Sequence, residues 1–373
     1  MSRRVRVLHV IQNLNYGGME RLFADIVRLL DGSRFESHVL VLGYLGRFGE
    51  GLERHATIHH AVAMRRGAIL WPRALAEQIR GIAPDVVHSH AGVWYKVARA
   101  ARMAGVPWIV HTEHGRKRPD PWLDRRIGRL AAGRTDRIAA VSEVLRAQLE
   151  RTVVPDPSRL RLVANGVDTG LYQPAPDNGV LRAELGLGGG TPIVGSIGRL
   201  EQIKGYDIVV EAYALLMARW PAPGGPVLVL VGDGAERARL EALIAQRRLA
   251  GRAFILGWRD DLANLHPAFT LFTMGSRSEG TSVSLLEAMS AGLCPVVTDV
   301  GGNAAVLGPG LGHRLVPPLD PAALAGAWDA ALTDPARRAA DGAAARARVQ
   351  AAFSLEAMVR NYETLYLEGP APR

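Results

Sequence analysis

Cysteine is almost missing: Cys294 is the only one, and it lies in an apolar stretch. A single thiol excludes a disulfide framework and fits a reducing compartment, so a cytoplasmic location is expected. No run of about 18 consecutive apolar residues occurs, which argues against a membrane-spanning helix. The basic start Arg3-Arg4-Val5-Arg6 hints at a signal peptide, but the apolar part is short and broken by His9. A first strand over Val5–Ile11 is the better reading. The three spaced glycines of the dinucleotide fingerprint do not follow that strand, which weighs against NAD, and no P-loop occurs. Asp-x-Asp is absent from the whole chain. Lysine is scarce, at positions 96, 117 and 204 only, so the net charge of +9 is almost wholly arginine. So much arginine and alanine points to a GC-rich genome, which discounts the charge as a functional signal. It singles out Lys204, the only lysine of the second half.

What is present suits two domains. A chain of 373 residues with 48% apolar content is too long for one ordinary core. Buried strands are expected at Val5–Ile11, Val39–Leu42, His59–Ala63, Asp85–His90, Pro107–His111, Asp136–Ser142 and Leu160–Ala164, alternating with helices. A proline- and glycine-rich stretch over Leu171–Thr191 reads as the connection. The alternation then restarts at Pro192–Ile197, Val227–Val231, Ala253–Leu256, Leu271–Met274 and Cys294–Thr298. The expected class is α/β, with two Rossmann-like parallel-sheet domains over 1–172 and 173–353. An amphipathic helix from Ser354 to Leu367 closes the sequence.

The stretch Glu279-Gly280-Thr281-Ser282-Val283-Ser284-Leu285-Leu286-Glu287 carries the densest chemistry. A carboxylate stands at the tip of a strand-to-helix turn and a second one two turns into the helix. Free N–H groups and the helix dipole between them attract an anion such as phosphate. Glu287 can accept from ribose hydroxyls and Glu279 from those of a sugar. The plain alternative is an ordinary helix start, capped by Thr281 or Ser282. Arg199 and Lys204, at another strand tip, suit a diphosphate: one offers a planar fork, the other a point charge. In the first half, Gly17-Gly18 lets backbone approach a ligand closely. His111, Thr112, Glu113, His114 and Gly115 stand at a strand end, where open parallel sheets bind ligands. His111 and Glu113 share one strand face and His114 takes the other, so they do not converge on a metal. His111 reads as a core histidine and His114 as the site candidate.

Basic residues crowd 116–137: Arg116, Lys117, Arg118, Arg125, Arg126, Arg129, Arg134 and Arg137 stand against three acids, with Trp122 and Leu123 among them. Such a segment can dock on an anionic membrane surface, or simply form a solvated helix face.

In order and spacing, Gly17-Gly18-Met19-Glu20, His114-Gly115, Val141-Ser142-Glu143, Asn165-Gly166-Val167-Asp168, Gly198-Arg199 with Lys204-Gly205, Gly232-Asp233-Gly234, Glu279 with Glu287, and Gly301-Gly302 form one set. The chain thereby resembles the GT-B glycosyltransferases of the large retaining family 4, which includes bacterial transferases of lipid, polysaccharide and thiol-glycoside biosynthesis. The resemblance implies two domains facing a cleft, with the final helix, 354–373, crossing back to the first. It implies transfer from a nucleotide-sugar, UDP-sugar before GDP-sugar, to a glycan or lipid-linked acceptor. By position, the implied catalytic residues are Glu279, His114, Arg199 and Lys204. The implied donor site adds Gly17, Gly18, Gly280, Thr281, Ser282, Val283 and Glu287. The family usually has glycine at the position of Ser282 and often an aromatic at Thr281. No second carboxylate offers itself as a nucleophile, so the resemblance implies front-face attack. No cofactor, metal or nucleic-acid partner is expected. A non-catalytic nucleotide-sugar-binding protein and a sugar-nucleotide epimerase are the alternatives. The expected location is cytoplasmic, peripheral on the inner face of the plasma membrane.

Overall fold

The computed structural model describes residues 3–15, 17–61, 71–115, 121–220 and 224–369. Two compact units emerge: 1–165 joined by 355–373, and 166–354.

The first unit begins with β1 (Val5–Ile11), α1 (Gly18–Leu29), β2 (Phe35–Val41), β3 (Thr57–His60) and α2 (Arg73–Ile82). It continues through β4 (Val86–His90), α3 (Trp94–Ala104), β5 (Trp108–Glu113), α4 (Trp122–Ala132), β6 (Arg137–Ala140), α5 (Glu143–Thr152) and β7 (Leu160–Leu162). The strands form one sheet in the order β3-β2-β1-β4-β5-β6-β7, with every pair parallel. β1 reads as a nearly continuous apolar run because both its faces are covered. α1 turns Leu22, Phe23, Ile26 and Val27 inward at helical spacing.

The second unit holds α6 (Val180–Glu184), β8 (Ile193–Ile197), α7 (Tyr206–Arg219), β9 (Val227–Val231), α8 (Arg237–Gln246), β10 (Ala253–Ile255) and α9 (Leu262–Leu265). Then come β11 (Leu271–Met274), α10 (Val283–Ser290), β12 (Pro295–Thr298), α11 (Asn303–Leu307), β13 (Leu315–Val316), α12 (Pro321–Thr333) and α13 (Pro335–Ala352). The parallel sheet runs β10-β9-β8-β11-β12-β13. Asp320 and Asp334 cap α12 and α13, each just before a proline that suits the first helical turn. Trp328 of α12 is fully buried and donates to Thr273 Oγ1 of β11 at 2.9 Å.

Each sheet reverses its strand order once, between β1 and β4 and between β8 and β11. The loops beyond the carboxyl ends of strands at such a reversal form the natural ligand crevice of an open parallel sheet. Gly17-Gly18 follows β1, the Arg199–Lys204 loop follows β8, and the Glu279 loop follows β11.

Three boundaries differ from expectation. Residues 166–172 belong to the second unit, so the first does not extend to 172. Val167 bridges Ser354 and donates to Phe353 O, and the Tyr172 carbonyl accepts from Ser290 Oγ at 2.6 Å. β2 starts at Phe35, because Glu36 and His38 satisfy each other at 3.0 Å and can stay in the sheet. β5 runs on to Glu113, because Thr112 pairs with His90 and Glu113 with Ala140. The closing helix, α14 (Leu355–Leu367), belongs to the first unit. Of residues 116–137, those from 116 to 120 lie outside the described residues.

Candidate functional site

The site in the second unit is made by two loops that topology brings side by side. β8 and β11 are neighbours in the sheet although far apart in sequence. The loop after β8 makes one tight turn, Gln202–Lys204, and leaves it through Gly205 at φ 63°. A Cβ at Gly205 would sit 2.0 Å from the carbonyl oxygen of Gly275 in the loop after β11, so only glycine lets these backbones touch. Arg277 staples them, donating to Gln202 O at 2.8 Å and forking onto Asp207 at 2.8 and 2.7 Å. Lys204 therefore reaches Glu279: Nζ lies 2.7 Å from Oε1 and 3.0 Å from Oε2. Ser276 Oγ donates to Oε1 at 2.6 Å. Only 6% of the Glu279 side chain is exposed, against 21% for Lys204.

The Glu279 backbone is fixed from its other side. Gly301 has φ 56°, and a Cβ there would fall 1.8 Å from Glu279 O. Gly302 N donates to Gly280 O at 3.1 Å. Thr298 Oγ1 donates to Ser276 O at 2.8 Å, and Asn303 Nδ2 donates in turn to Thr298 O at 2.9 Å. Ser282 is the N-cap of α10 and its hydroxyl accepts from Leu285 N. Glu287 lies on α10 and is buried, as are Thr281 and Ser282. Gly280, Thr281, Ser282, Val283 and Glu287 thus share one turn and one helix with Glu279. Arg199 leaves the same strand as Lys204, but its exposed guanidinium meets Glu201 at 2.7 Å rather than Glu279.

The other candidates belong to the first unit. Gly17 precedes α1 at φ 154°, and Gly18 is the helix's first residue. His114 is half-buried beyond the end of β5, with Nε2 3.5 Å from His90 Nδ1. Burial holds its ring down at about 4, so it is neutral at pH 7. His111 packs in the core, its ring stacked on Trp94 at 4.2 Å and its Nδ1 3.0 Å from Ser89 Oγ.

Beneath His114 lies a group not foreseen from the sequence. His9 of β1 and His88 and His90 of β4 bring ring nitrogens within 4.8 Å of one another. Among the described residues this is the group with metal-ligand spacing. Both His88 nitrogens already meet hydroxyls, Tyr366 at 2.7 Å and Thr112 at 2.8 Å. Burial first, then neighbouring histidines, depress His88 and His90 well below the ordinary value, and His9 falls to about 3. Part of the signal was available: period two puts His88 and His90 on one face of β4, while His9 joins them only through strand order.

Residues 177–348 match the family model of Glycosyl transferases group 1, and residues 16–171 that of Glycosyltransferase Family 4. A D-inositol 3-phosphate glycosyltransferase of Frankia alni is 32% identical over 315 residues, covering 77% of this chain and 75% of that one. The chain belongs to glycosyltransferase family 4. A UDP-Gal:alpha-D-GlcNAc-diphosphoundecaprenol alpha-1,3-galactosyltransferase of Escherichia coli is 31% identical over 228 residues; that match spans 59% of either chain, less than two thirds of the relative's length. Among solved structures, Anabaena Alr3699/HepE in complex with UDP superposes with a TM-score of 0.85 at 23% identity, over 98% of this chain and 100% of that one. The same protein with UDP-glucose gives 0.84 at 24% identity, over 97% and 99%. At such identities the likeness concerns the fold, which is GT-B. In this family-4 chain the departures at Thr281 and Ser282 are structural too: both side chains are buried and Ser282 caps α10.

Proposed function

We propose that the protein is a retaining, metal-independent glycosyltransferase. It moves a sugar from a nucleotide-sugar, UDP-sugar first and GDP-sugar second, to a glycan or lipid-linked acceptor of envelope or exported polysaccharide synthesis. The observation that carries this reading is the Lys204–Glu279 pair, at 2.7 and 3.0 Å, beside the start of α10. It sets an ammonium, a helix N-terminus and a carboxylate next to one another, a set that suits a diphosphate-sugar. Lys204 and Arg199 neutralise the diphosphate, with N–H groups of Gly280 to Val283 assisting. Glu287 holds the ribose and Glu279 the hydroxyls of the transferred sugar. Gly17, Gly18 and His114 are the donor-contact candidates of the first unit. These two cations do the electrostatic work often given to a metal. The bond from the anomeric carbon to the diphosphate breaks as the acceptor oxygen attacks the same face. The acceptor proton passes to the departing diphosphate oxygen.

The UDP and UDP-glucose complexes of the GT-B neighbour Alr3699/HepE, and a relative named for UDP-Gal and a diphosphoundecaprenol acceptor, support the donor and acceptor classes. With a lipid-linked acceptor, the enzyme would work at the inner membrane face. Incubation with UDP- and GDP-sugars and a polyprenyl-diphosphate-sugar, with chelator present, tests the reading. Nucleoside diphosphate release with an α-linked product supports it. Binding without release indicates a sensor, and a new sugar nucleotide without acceptor an epimerase; either outcome overturns it.

A further inference from the structure

The first sheet has its own reversal of strand order, between β1 and β4, and so its own crevice beyond the strand ends. The loop that follows β1 and the start of α3, which follows β4, flank it. Lys96, one of only three lysines in the chain, ties the two together: Nζ donates to Gln12 Oε1 at 2.9 Å. An ammonium has three N–H groups, and this neutral amide satisfies one of them. The Lys96 side chain is half-buried, and burial holds its pKa below the ordinary lysine value. A cation drawn out of water normally gains a carboxylate in exchange. Arg99 stands one turn further along the same face of α3. Its guanidinium lies 4.4 Å from the Trp71 ring centroid and donates to Tyr95 Oη at 3.3 Å, while its Nε is buried and meets no acceptor. A ring and a phenol thus hold this cation in place without neutralising it. Among the described residues neither Lys96 nor Arg99 meets a carboxylate. Arg102, near the far end of the same helix, shows the contrast: it forks onto both Asp136 oxygens at 2.7 Å. The loop carrying Gln12 is fixed as well. Gln12 O accepts from Gly43 N at 2.7 Å, and Asn13 Oδ1 accepts from Tyr44 N at 3.0 Å. Both sides are therefore in place before any ligand arrives.

We propose that Lys96 and Arg99 form an anion seat for a phosphate group of the acceptor, so that the enzyme takes sugars carrying a phosphate or diphosphate rather than neutral glycans. Lys96 supplies a point charge with free N–H groups, and Arg99 a planar fork. The inference rests on the transferase reading and narrows its acceptor class. A soluble sugar phosphate and a lipid-linked sugar diphosphate share this chemistry, and the test separates them.

The first measurement needs no acceptor. Inorganic pyrophosphate is titrated calorimetrically into protein saturated with UDP, which fills the donor's diphosphate site. A further pyrophosphate should still bind. Lys96→Ala and Arg99→Gln should each weaken it by about tenfold to a hundredfold, and Lys96→Arg should recover part of the loss. UDP affinity and Tm should stay close to wild type in all three. Absence of this second pyrophosphate, or its binding to Lys96→Ala as tightly as to wild type, overturns the inference.

The second measurement compares initial rates with farnesyl-diphosphate-GlcNAc, GlcNAc 1-phosphate and octyl-GlcNAc, which share one sugar. Lys96→Ala should raise KM for the phosphate-bearing acceptors by about tenfold or more while kcat changes by less than about twofold. Whichever of those two has the lower wild-type KM names the source of the phosphate. A wild-type preference for the neutral glycoside overturns the seat. Turnover that Lys96→Ala leaves untouched for every acceptor sinks this inference alone. A chain inert towards all donors that still loses pyrophosphate on Lys96→Ala sinks the transferase reading alone.

Discussion

Lys204 holds both carboxylate oxygens of Glu279, at 2.7 and 3.0 Å, across 75 residues of sequence. The two groups proposed to grip opposite ends of the donor's reacting bond therefore grip each other first. On the proposed reading, a diphosphate that drew the ammonium towards itself would free the carboxylate for sugar hydroxyls.

Lys204→Ala should weaken UDP binding by about tenfold to a hundredfold, since one charged contact is worth about 1.5–3 kcal/mol. UMP, lacking the distal phosphate, should lose less. Calorimetric titration of both nucleotides checks this, and equal losses would place Lys204 away from the diphosphate. The same variant strands a nearly buried carboxylate, so its Tm should fall, and adding Glu279→Gln should restore part of the fall.

Glu279→Gln should lower kcat by about 30- to 1000-fold, corresponding to about 2–4 kcal/mol of barrier. Ser276 and Lys204 can still bond the amide oxygen, so circular dichroism and UDP affinity should stay close to wild type. Near-normal turnover would remove Glu279 from the reacting sugar.

Gly301→Ala probes the support rather than the chemistry. The new Cβ would lie 1.8 Å from Glu279 O, at a φ of 56° that alanine adopts at a cost of about 1–2 kcal/mol. The Glu279 loop must move, and kcat should fall more than Tm alone predicts. A variant that loses stability but keeps full kcat at low temperature would show that the loop position is not critical.

Four histidines of the first unit, His9, His88, His90 and His114, predict acid sensitivity. In the folded state His9 is held at about 3 and His114 at about 4, and His88 and His90 also lie well below their ordinary value. Above the unfolded value of about 6.5, both states leave them neutral and their contribution to stability is complete. As pH falls below 6.5, the unfolded chain takes up protons that the folded one refuses. Each histidine then costs about 1.4 kcal/mol per pH unit until its folded value is reached. Urea unfolding of the first unit, followed by amide exchange in β1 and β4, should show this slope between about pH 6.5 and 4.5. His9→Leu should flatten it by one histidine's share, and an unchanged slope would contradict the assignment.

What the sequence made legible follows local rules. Val5–Ile11 and Leu271–Met274 announce themselves as strands by apolar runs, and Glu279 to Glu287 as a strand-to-helix turn. Strand order is not local. Nothing in the runs says that β11 lies beside β8, so the Lys204–Glu279 contact was invisible although both residues were singled out. The same blindness hid the histidine group, since it needs β1 beside β4. Counting arginines over 116–137 overstated the available charge, because sequence does not tell that Arg137 turns to Glu368.

The division of the chain also sets an order of completion during synthesis. The second unit is one uninterrupted stretch, 166–354, and has all its strands once the ribosome has passed it. The first unit is started earlier and finished later. Tyr362 and Tyr366 of α14 lie 3.2 Å from Thr112 Oγ1 and 2.7 Å from His88 Nδ1, deep in its sheet. Until α14 leaves the exit tunnel, that face of the nascent sheet stays open and its buried polar atoms lack these partners. Vectorial translation therefore makes the N-terminal sheet the part most in need of shelter from chaperones, and makes premature termination within α14 a lesion of the opposite end of the chain.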